Sequence, residues 1–300
     1  MVNRKGLKIV YVGLLSLLLL TGISLAQDVV WAPPPVSNTI WALDGKAVTL
    51  PPVVNSEVVP INGIRMFYVT YGDPANPPLL LLHGGLTNGD TWVNQIPDFA
   101  KNYYVIVPDN PGQGRSTISD APFSIHLEAT DDLALLDSLK IKAVDLVGWS
   151  DGANVGLDIA VNHPEYLRKL VVYGGNYVAS GALPMEEACK KIDCDQLFAK
   201  LASEYARLSP TPQNFDAFST RYFQSQANDP NFSDAQLQAI TVPTLVLDGI
   251  KEEIVAPDQA FKMATLIPTA DLVMMGGIGH FAPVDKPEEF NHIVLDYLSR

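Results

Sequence analysis

Short apolar runs alternate along the chain with longer segments of helical period. Continuous apolar runs are typical of strands that are buried on both faces of a sheet. Their alternation with helices predicts a mainly parallel sheet with helices on both sides. The runs occupy residues 79–82, 104–107, 143–147, 170–173, 245–247 and 271–275.

A hairpin is predicted ahead of these runs. Residues 57–59 and 64–71 have strand character and flank the dipeptide Asn62-Gly63. Both central positions of the favoured two-residue hairpin turn need positive φ, which Asn and Gly accept readily.

Residues 178–240 interrupt the alternation with a helix-rich and aromatic-rich segment. Its aromatic side chains could wall an apolar pocket, but we expect most of them to form the segment's own core and its seam with the sheet. They are Phe198, Tyr205, Phe215, Phe218, Tyr222, Phe223 and Phe232.

The first 26 residues have the pattern of a signal peptide. Three cations within the first eight residues precede the apolar stretch 9–20, and the small residues Ser24 and Ala26 suit cleavage before Gln27. We therefore expect a secreted or periplasmic protein without stable membrane insertion. The alternative is an uncut membrane anchor, because the apolar stretch approaches the ~18 residues that a spanning helix needs.

The mature chain is predicted to begin with an extended arm. Residues 27–55 are rich in proline and show neither helical nor strand period, so we assign the remaining 56–300 to one folded domain. The arm could pack over that domain or lead it away from a membrane.

Net charge excludes one class of partner. The formal charge is −13, and removal of three cations with the signal would make it −16. Such a chain repels phosphate backbones, so nucleic acid is not expected as a partner. A small-molecule substrate is the expected partner. The sequence leaves the oligomeric state open.

Two cysteines, Cys189 and Cys194, lie five positions apart. Export favours a disulfide between them. Within one regular helix, however, their side chains would lie on different faces, so a bridge requires a break around residues 191–193. Neither cysteine has further ligands at the spacing of a zinc site.

The candidate chemistry begins at Gly148-Trp149-Ser150-Asp151-Gly152, directly after the apolar run 143–147. G-x-S-x-G between a strand and a helix is typical of a nucleophile elbow, in which small neighbours let the backbone turn sharply and expose the serine hydroxyl.

The chain resembles the α/β-hydrolases over residues 57–300, through several motifs in the family's order. The GWSDG motif followed by NHPE is most similar to the branch of biphenyl-hydrolase-like and valacyclovir-hydrolase proteins and carbon–carbon bond hydrolases. The resemblance implies an eight-stranded, mainly parallel sheet and a helical cap inserted at about 178–240. The motifs are HGG at 83–85, DNPGQGRS at 109–116, GWSDG at 148–152, PTLVLDG at 243–249 and GHFAPVDKPEEF at 279–290.

A catalytic triad follows from the chain order serine, acid, histidine. Ser150 is the expected nucleophile, and His280, after a glycine-rich approach, is its base. Glu252 is the expected acid because it stands three residues after the strand-end Gly249, where the family most often has aspartate. Glu253 and Asp248 are the rival carboxylates.

Backbone N–H groups of Gly85 and Asp151 are expected to form the oxyanion hole, with Leu86 as the alternative to Gly85. Trp149, Asp151 and Leu86 are the expected substrate contacts. The Asp151 carboxylate has two interpretations: it binds a cationic group of the substrate, or it stabilises the N-terminus of the following helix.

These residues predict an exported serine hydrolase that cleaves small or medium carboxylic esters through an acyl-enzyme, with neither cofactor nor metal. Two alternatives use the same motifs. One is a carbon–carbon bond hydrolase, and the other is a ligand-binding protein or acyltransferase that retains the fold.

Overall fold

A computed structural model describes residues 32–36 and 48–300. The predicted signal peptide, 1–26, and most of the predicted arm, 27–55, lie outside these residues. Within the described ranges, no helix has the length and apolar character needed to cross a bilayer.

Strands and helices alternate along the described chain. The strands are β1 (Val53–Ile61), β2 (Ile64–Tyr71), β3 (Pro78–Leu82), β4 (Tyr104–Pro108), β5 (Val144–Trp149), β6 (Leu167–Tyr173), β7 (Thr244–Gly249) and β8 (Ala270–Met275). The helices are α1 (Ile96–Phe99), α2 (Ile125–Ser138), α3 (Asp151–Asn162), α4 (Met185–Ala188), α5 (Cys194–Leu208), α6 (Phe215–Gln226), α7 (Asp234–Gln238), α8 (Asp258–Leu266), α9 (Ala282–Asp285) and α10 (Pro287–Ser299).

The strands form one eight-stranded sheet in the order β1-β2-β4-β3-β5-β6-β7-β8. Strand β2 is antiparallel to both of its neighbours, and every other adjacent pair is parallel. The predicted fold class is therefore confirmed. Asn62 (φ 46°) and Gly63 (φ 86°) turn the chain between β1 and β2, as the dipeptide predicts.

The central strands supply side chains to both faces of the sheet. Along β3, Leu79 and Leu81 point into one apolar core while Leu80 and Leu82 point into the other, and all four are 0% exposed. Helices α2, α3 and α8 cover the second core, and α1 and α10 cover the first. This double covering explains why the strands are continuous apolar runs rather than alternating ones.

Helices α4 to α7 lie between β6 and β7, in the segment where the sequence predicts a cap. Cys189 and Cys194 form a disulfide there. Helix α4 ends at Ala188 and α5 begins at Cys194, so the break that a bridge requires is present. The seven aromatic residues of this segment have three roles. Tyr205, Phe215 and Phe218 pack on one another inside the cap, whereas Phe198, Tyr222 and Phe223 line a cleft. Phe232 is buried in the second core of the sheet.

A buried ion cluster supports the loops at the carboxyl ends of β3 and β4. The Arg115 side chain is 0% exposed and donates to Asp90 at 2.7 Å and to Asp109 at 2.9 Å. Asp109 also accepts from the backbone N–H of Gly89 at 2.7 Å. The Nε atom of Arg115 donates to the carbonyl of Pro34 at 2.9 Å, which ties this described part of the arm to the domain.

Candidate active site

Ser150 lies on a sharp turn between β5 and α3, with φ 57° and ψ −121°. This conformation is strained for a residue with a side chain. A Cβ on Gly148 would stand 2.2 Å from the carbonyl oxygen of Gly152, and a Cβ on Gly152 would stand 2.2 Å from that of Leu82. Both glycines of the motif are therefore required by close backbone approach. Ser150 itself stays partly exposed among buried neighbours.

His280 and Glu252 meet on two loops that follow β8 and β7. The Nδ1 atom of His280 lies 2.8 Å from Oε1 of Glu252. That oxygen also accepts from the backbone N–H groups of Ile254 at 2.8 Å and Val255 at 2.9 Å. Lys191, inside the disulfide loop, donates to the Glu252 carbonyl at 3.0 Å. Backbone donors of its own loop therefore fix the Glu252 carboxylate independently of its bond to the imidazole.

The pKa values of His280 and Glu252 are shifted in the directions that this contact predicts. Burial lowers the pKa of His280, but the charge and hydrogen bond of Glu252 outweigh burial and raise it above its usual value of 6.5. Burial likewise raises the pKa of Glu252, but His280 and the backbone donors bring it below its usual value. With its proton on Nδ1, the neutral imidazole leaves Nε2 as a proton acceptor.

The two rival carboxylates have other partners. Glu253 Oε2 accepts from the backbone N–H of His280 at 2.8 Å, so it fixes the loop rather than the ring. Asp248 Oδ1 accepts from the N–H of Gly249 at 2.7 Å. Of the three carboxylates, Glu252 is the one that bonds to the imidazole.

The predicted oxyanion donors lie on both sides of Ser150. Asp151 opens α3, where backbone N–H groups have no partner within the helix. Gly85 belongs to the loop after β3, and a Cβ on its neighbour Gly84 would stand 3.2 Å from that of Ser150. The alternative donor, Leu86, has φ 61° and a buried side chain.

His83 fastens this loop to the next one. Its Nε2 accepts from the backbone N–H of Asn110 at 3.0 Å, and its Nδ1 lies 2.9 Å from the carbonyl oxygen of Gly84. Burial lowers the pKa of the ring. A neutral, buried imidazole of this kind has a structural role.

The Asp151 side chain turns toward the cap. Its Oδ2 accepts from the Tyr222 hydroxyl and from Gln226 Nε2, the latter at 3.0 Å, and both donors lie on α6. Burial raises the pKa of Asp151 to about 6, against the opposing effect of the Tyr222 hydrogen bond. The sequence motif gives no sign of this pairing, because the partners lie 71 and 75 residues away.

An open cleft of about 150 Å³ brings Ser150 and His280 to one surface, together with the HGG loop. Trp149 and Leu86, two of the predicted substrate contacts, line it, whereas Asp151 does not. No Lys or Arg is among the described residues that line it. Its apolar lining is Leu86, Trp149, Met185, Ile192, Leu197, Phe198, Leu201, Tyr222, Phe223, Ile254 and Phe281.

No metal centre accompanies the cleft in the part of the chain that the structure describes. Groups of three or more His, Cys, Asp or Glu side chains arranged to hold an ion are absent from these residues. The His280 imidazole and the Glu252 carboxylate bond to each other.

Known proteins share both the sequence pattern and the sheet. A family profile described as alpha/beta hydrolase fold matches residues 77–188. The 2-hydroxymuconate semialdehyde hydrolase of Pseudomonas sp. strain CF600 is 27% identical over 74% of this chain and 87% of its own length. The mouse serine hydrolase BPHL is 28% identical over 82% of this chain and 87% of its own length.

Among solved structures, the enol-lactonase of Burkholderia xenovorans LB400 superposes with a TM-score of 0.67 at 20% identity. The match covers 81% of this chain and all of that one. The family profile, the relatives and the order of the eight strands together identify this chain as a hydrolase of the α/β-hydrolase family.

Proposed function

We propose that this protein is a serine hydrolase that cleaves uncharged carboxylic esters of small or medium size through an acyl-enzyme. The observation that carries the proposal is the convergence on one apolar cleft of a strained, partly exposed Ser150 and a His280 whose ring is oriented by Glu252. The name of the mouse relative, a serine hydrolase, supports the same nucleophile.

In this mechanism His280 Nε2 takes the proton of the Ser150 hydroxyl as the oxygen attacks the ester carbonyl. The carbonyl oxygen becomes an oxyanion that accepts from the N–H groups of Gly85 and Asp151. The imidazolium then returns the proton to the leaving alcohol, and the acyl group stays on Ser150. Water repeats the sequence and releases the acid.

The cleft argues for uncharged substrates over a carboxylate-bearing one. The Pseudomonas relative is named for a muconate semialdehyde, which carries a carboxylate. A site that takes such a substrate out of water needs a cation or several donors to offset desolvation. The described lining offers neither Lys nor Arg, and this favours ester hydrolysis over the carbon–carbon alternative.

We also propose that the protein is exported and loses residues 1–26. The signal pattern supports export, and so does the Cys189–Cys194 disulfide, because such bonds persist in oxidising compartments.

Ser150→Ala and His280→Ala should each lower kcat/KM for p-nitrophenyl hexanoate by ~10⁴-fold or more, because triad members act as a unit. Circular dichroism should show both variants folded. Ser225→Ala and His126→Ala are the matched controls, since neither residue lines the cleft. Near-normal turnover by a folded Ser150→Ala protein would rule out this nucleophile.

Glu252→Gln should lower kcat by ~10³–10⁴-fold, far more than Glu253→Gln or Asp248→Asn, because Glu252 holds the reactive tautomer. The acidic limb of the kcat/KM profile should also move to lower pH. The carboxylate raises the pKa of His280, and the base works only when neutral, so loss of the charge lets it work at lower pH. A larger loss in Glu253→Gln or Asp248→Asn would assign the acid to that residue.

Charge on the acyl chain provides a third test. Three p-nitrophenyl esters with six-carbon acyl chains should be compared, ending in methyl, carboxylate or ammonium. Wild-type kcat/KM should be highest for the neutral ester and lower by ~10-fold or more for the carboxylate and the ammonium esters. The cleft is apolar, and the Asp151 carboxylate already bonds to Tyr222 of α6. A preference for the ammonium ester would assign Asp151 to cation recognition, and a preference for the carboxylate would favour the carbon–carbon class.

Export predicts a defined N-terminus. The intact mass of protein recovered from the exported fraction should correspond to a chain that begins at or near Gln27, with Cys189 and Cys194 resistant to alkylation until reduced. A membrane-bound product that retains Met1 would contradict cleavage and support an anchor.

A further inference from the structure

Two carboxyl groups lie buried together behind His280, at the end of β7. Asp248 is 1% exposed and Glu252 is 2% exposed. Each has one oxygen with backbone donors and one without a partner among the described protein groups: Oδ2 of Asp248 and Oε2 of Glu252. A buried carboxylate oxygen without a donor is strongly unfavourable.

After burial, the charge of Glu252 and a hydrogen-bonding interaction with its carboxyl are the main causes that raise the pKa of Asp248, so the two side chains act on each other directly. Two ionised carboxylates cannot form such a bond, because neither has a proton to donate. One of the pair is therefore protonated, and the shared proton gives both orphaned oxygens a partner.

The surroundings decide which residue carries the proton. Glu252 faces the His280 imidazole and two backbone N–H groups, all of which favour its ionised form. Asp248 has one backbone donor, and burial together with the adjacent charge of Glu252 raises its pKa to about 8. These opposite shifts favour the proton on Asp248 at neutral pH.

We propose that Asp248 is a positioning residue that acts in its neutral form, donating from Oδ2 to Oε2 of Glu252 and so fixing the carboxylate that orients His280. Its effect on catalysis rests on the function proposed above. The hydrogen bond itself does not.

Other titratable groups around Asp248 do not replace this proton. Tyr173 lies close, but its hydroxyl donates to the carbonyl of Gly279. Glu253 is engaged by the backbone N–H of His280. The imidazole of His280 bonds to Oε1 of Glu252, the other oxygen of that carboxylate.

Two substitutions at Asp248 separate the donor from the charge. Asp248→Asn keeps a donor, its Nδ2, and should stay within ~3-fold of wild-type kcat at pH 7, whereas Asp248→Leu removes the donor and should lower kcat by ~10–100-fold with little change in KM. Wild-type kcat should also fall as pH rises through about 8, because Asp248 then loses its proton and repels Glu252. This alkaline limb should be absent in Asp248→Asn and retained in the control Glu253→Gln.

A second measurement is independent of turnover. The acid is neutral in the folded protein and ionised in the unfolded chain between its usual pKa of 3.8 and its folded value of about 8. Stability from this group is therefore lost as pH rises through that window. Between pH 5 and pH 7 the unfolding constant of wild type, relative to Asp248→Asn, should rise ~10-fold per pH unit in urea titrations.

A flat stability difference, or an alkaline limb that persists in Asp248→Asn, would overturn the proposal. So would equal kcat in the Asn and Leu variants. If the Asp248→Leu variant does not fold, the alkaline limb of Asp248→Asn and the urea titrations still test the proposal. If wild type hydrolyses no ester, the function proposed above fails, and the urea titrations alone test the shared proton.

Discussion

The active cleft depends on how closely the elbow backbone approaches the end of β3. Gly152 stands so near the Leu82 carbonyl that a single added carbon would lie 2.2 Å from it, and Gly148 is equally close to Gly152. This contact brings the turn at Ser150 against the HGG loop. The strain at Ser150 is held by the sheet on one side and the helix on the other.

Burial and the neighbouring carboxyl groups together determine the pKa of His280. Three carboxyl groups approach one imidazole, yet each does something different: Glu252 orients the ring, Glu253 fixes its backbone, and Asp248 supports Glu252. Sharing a proton between Asp248 and Glu252 leaves a single negative charge behind the ring. A second buried charge there would hold the imidazole as a cation and prevent it from accepting a proton at neutral pH.

The cap contacts the elbow through the residue that follows Ser150. Asp151 begins α3, and its side chain bonds to Tyr222 and Gln226 of α6. Gly85 has no room for a side chain because the Tyr222 hydroxyl occupies the space. Helix α6 of the cap and the HGG loop are thus in direct contact, which explains how the inserted segment can line the cleft.

Local signals were enough to predict the sheet, the hairpin at Asn62-Gly63 and the elbow. Each depends on nearest neighbours in the chain: apolar runs, a turn dipeptide, and glycines beside Ser150. The partners of Asp151, the division of labour among Asp248, Glu252 and Glu253, and the support of Glu252 by Lys191 depend on contacts between distant segments, and no periodicity records them. The disulfide could be predicted only as a possibility, because it requires the helix break between Ala188 and Cys194.

Covalent labelling with a fluorophosphonate tests most directly whether the strained elbow makes Ser150 a nucleophile. We expect one phosphonyl group per folded chain, found on the peptide that contains Ser150, with a labelling rate that falls as His280 becomes protonated at low pH. Stoichiometric labelling at another serine, or no labelling of a folded protein at pH 8, would contradict it.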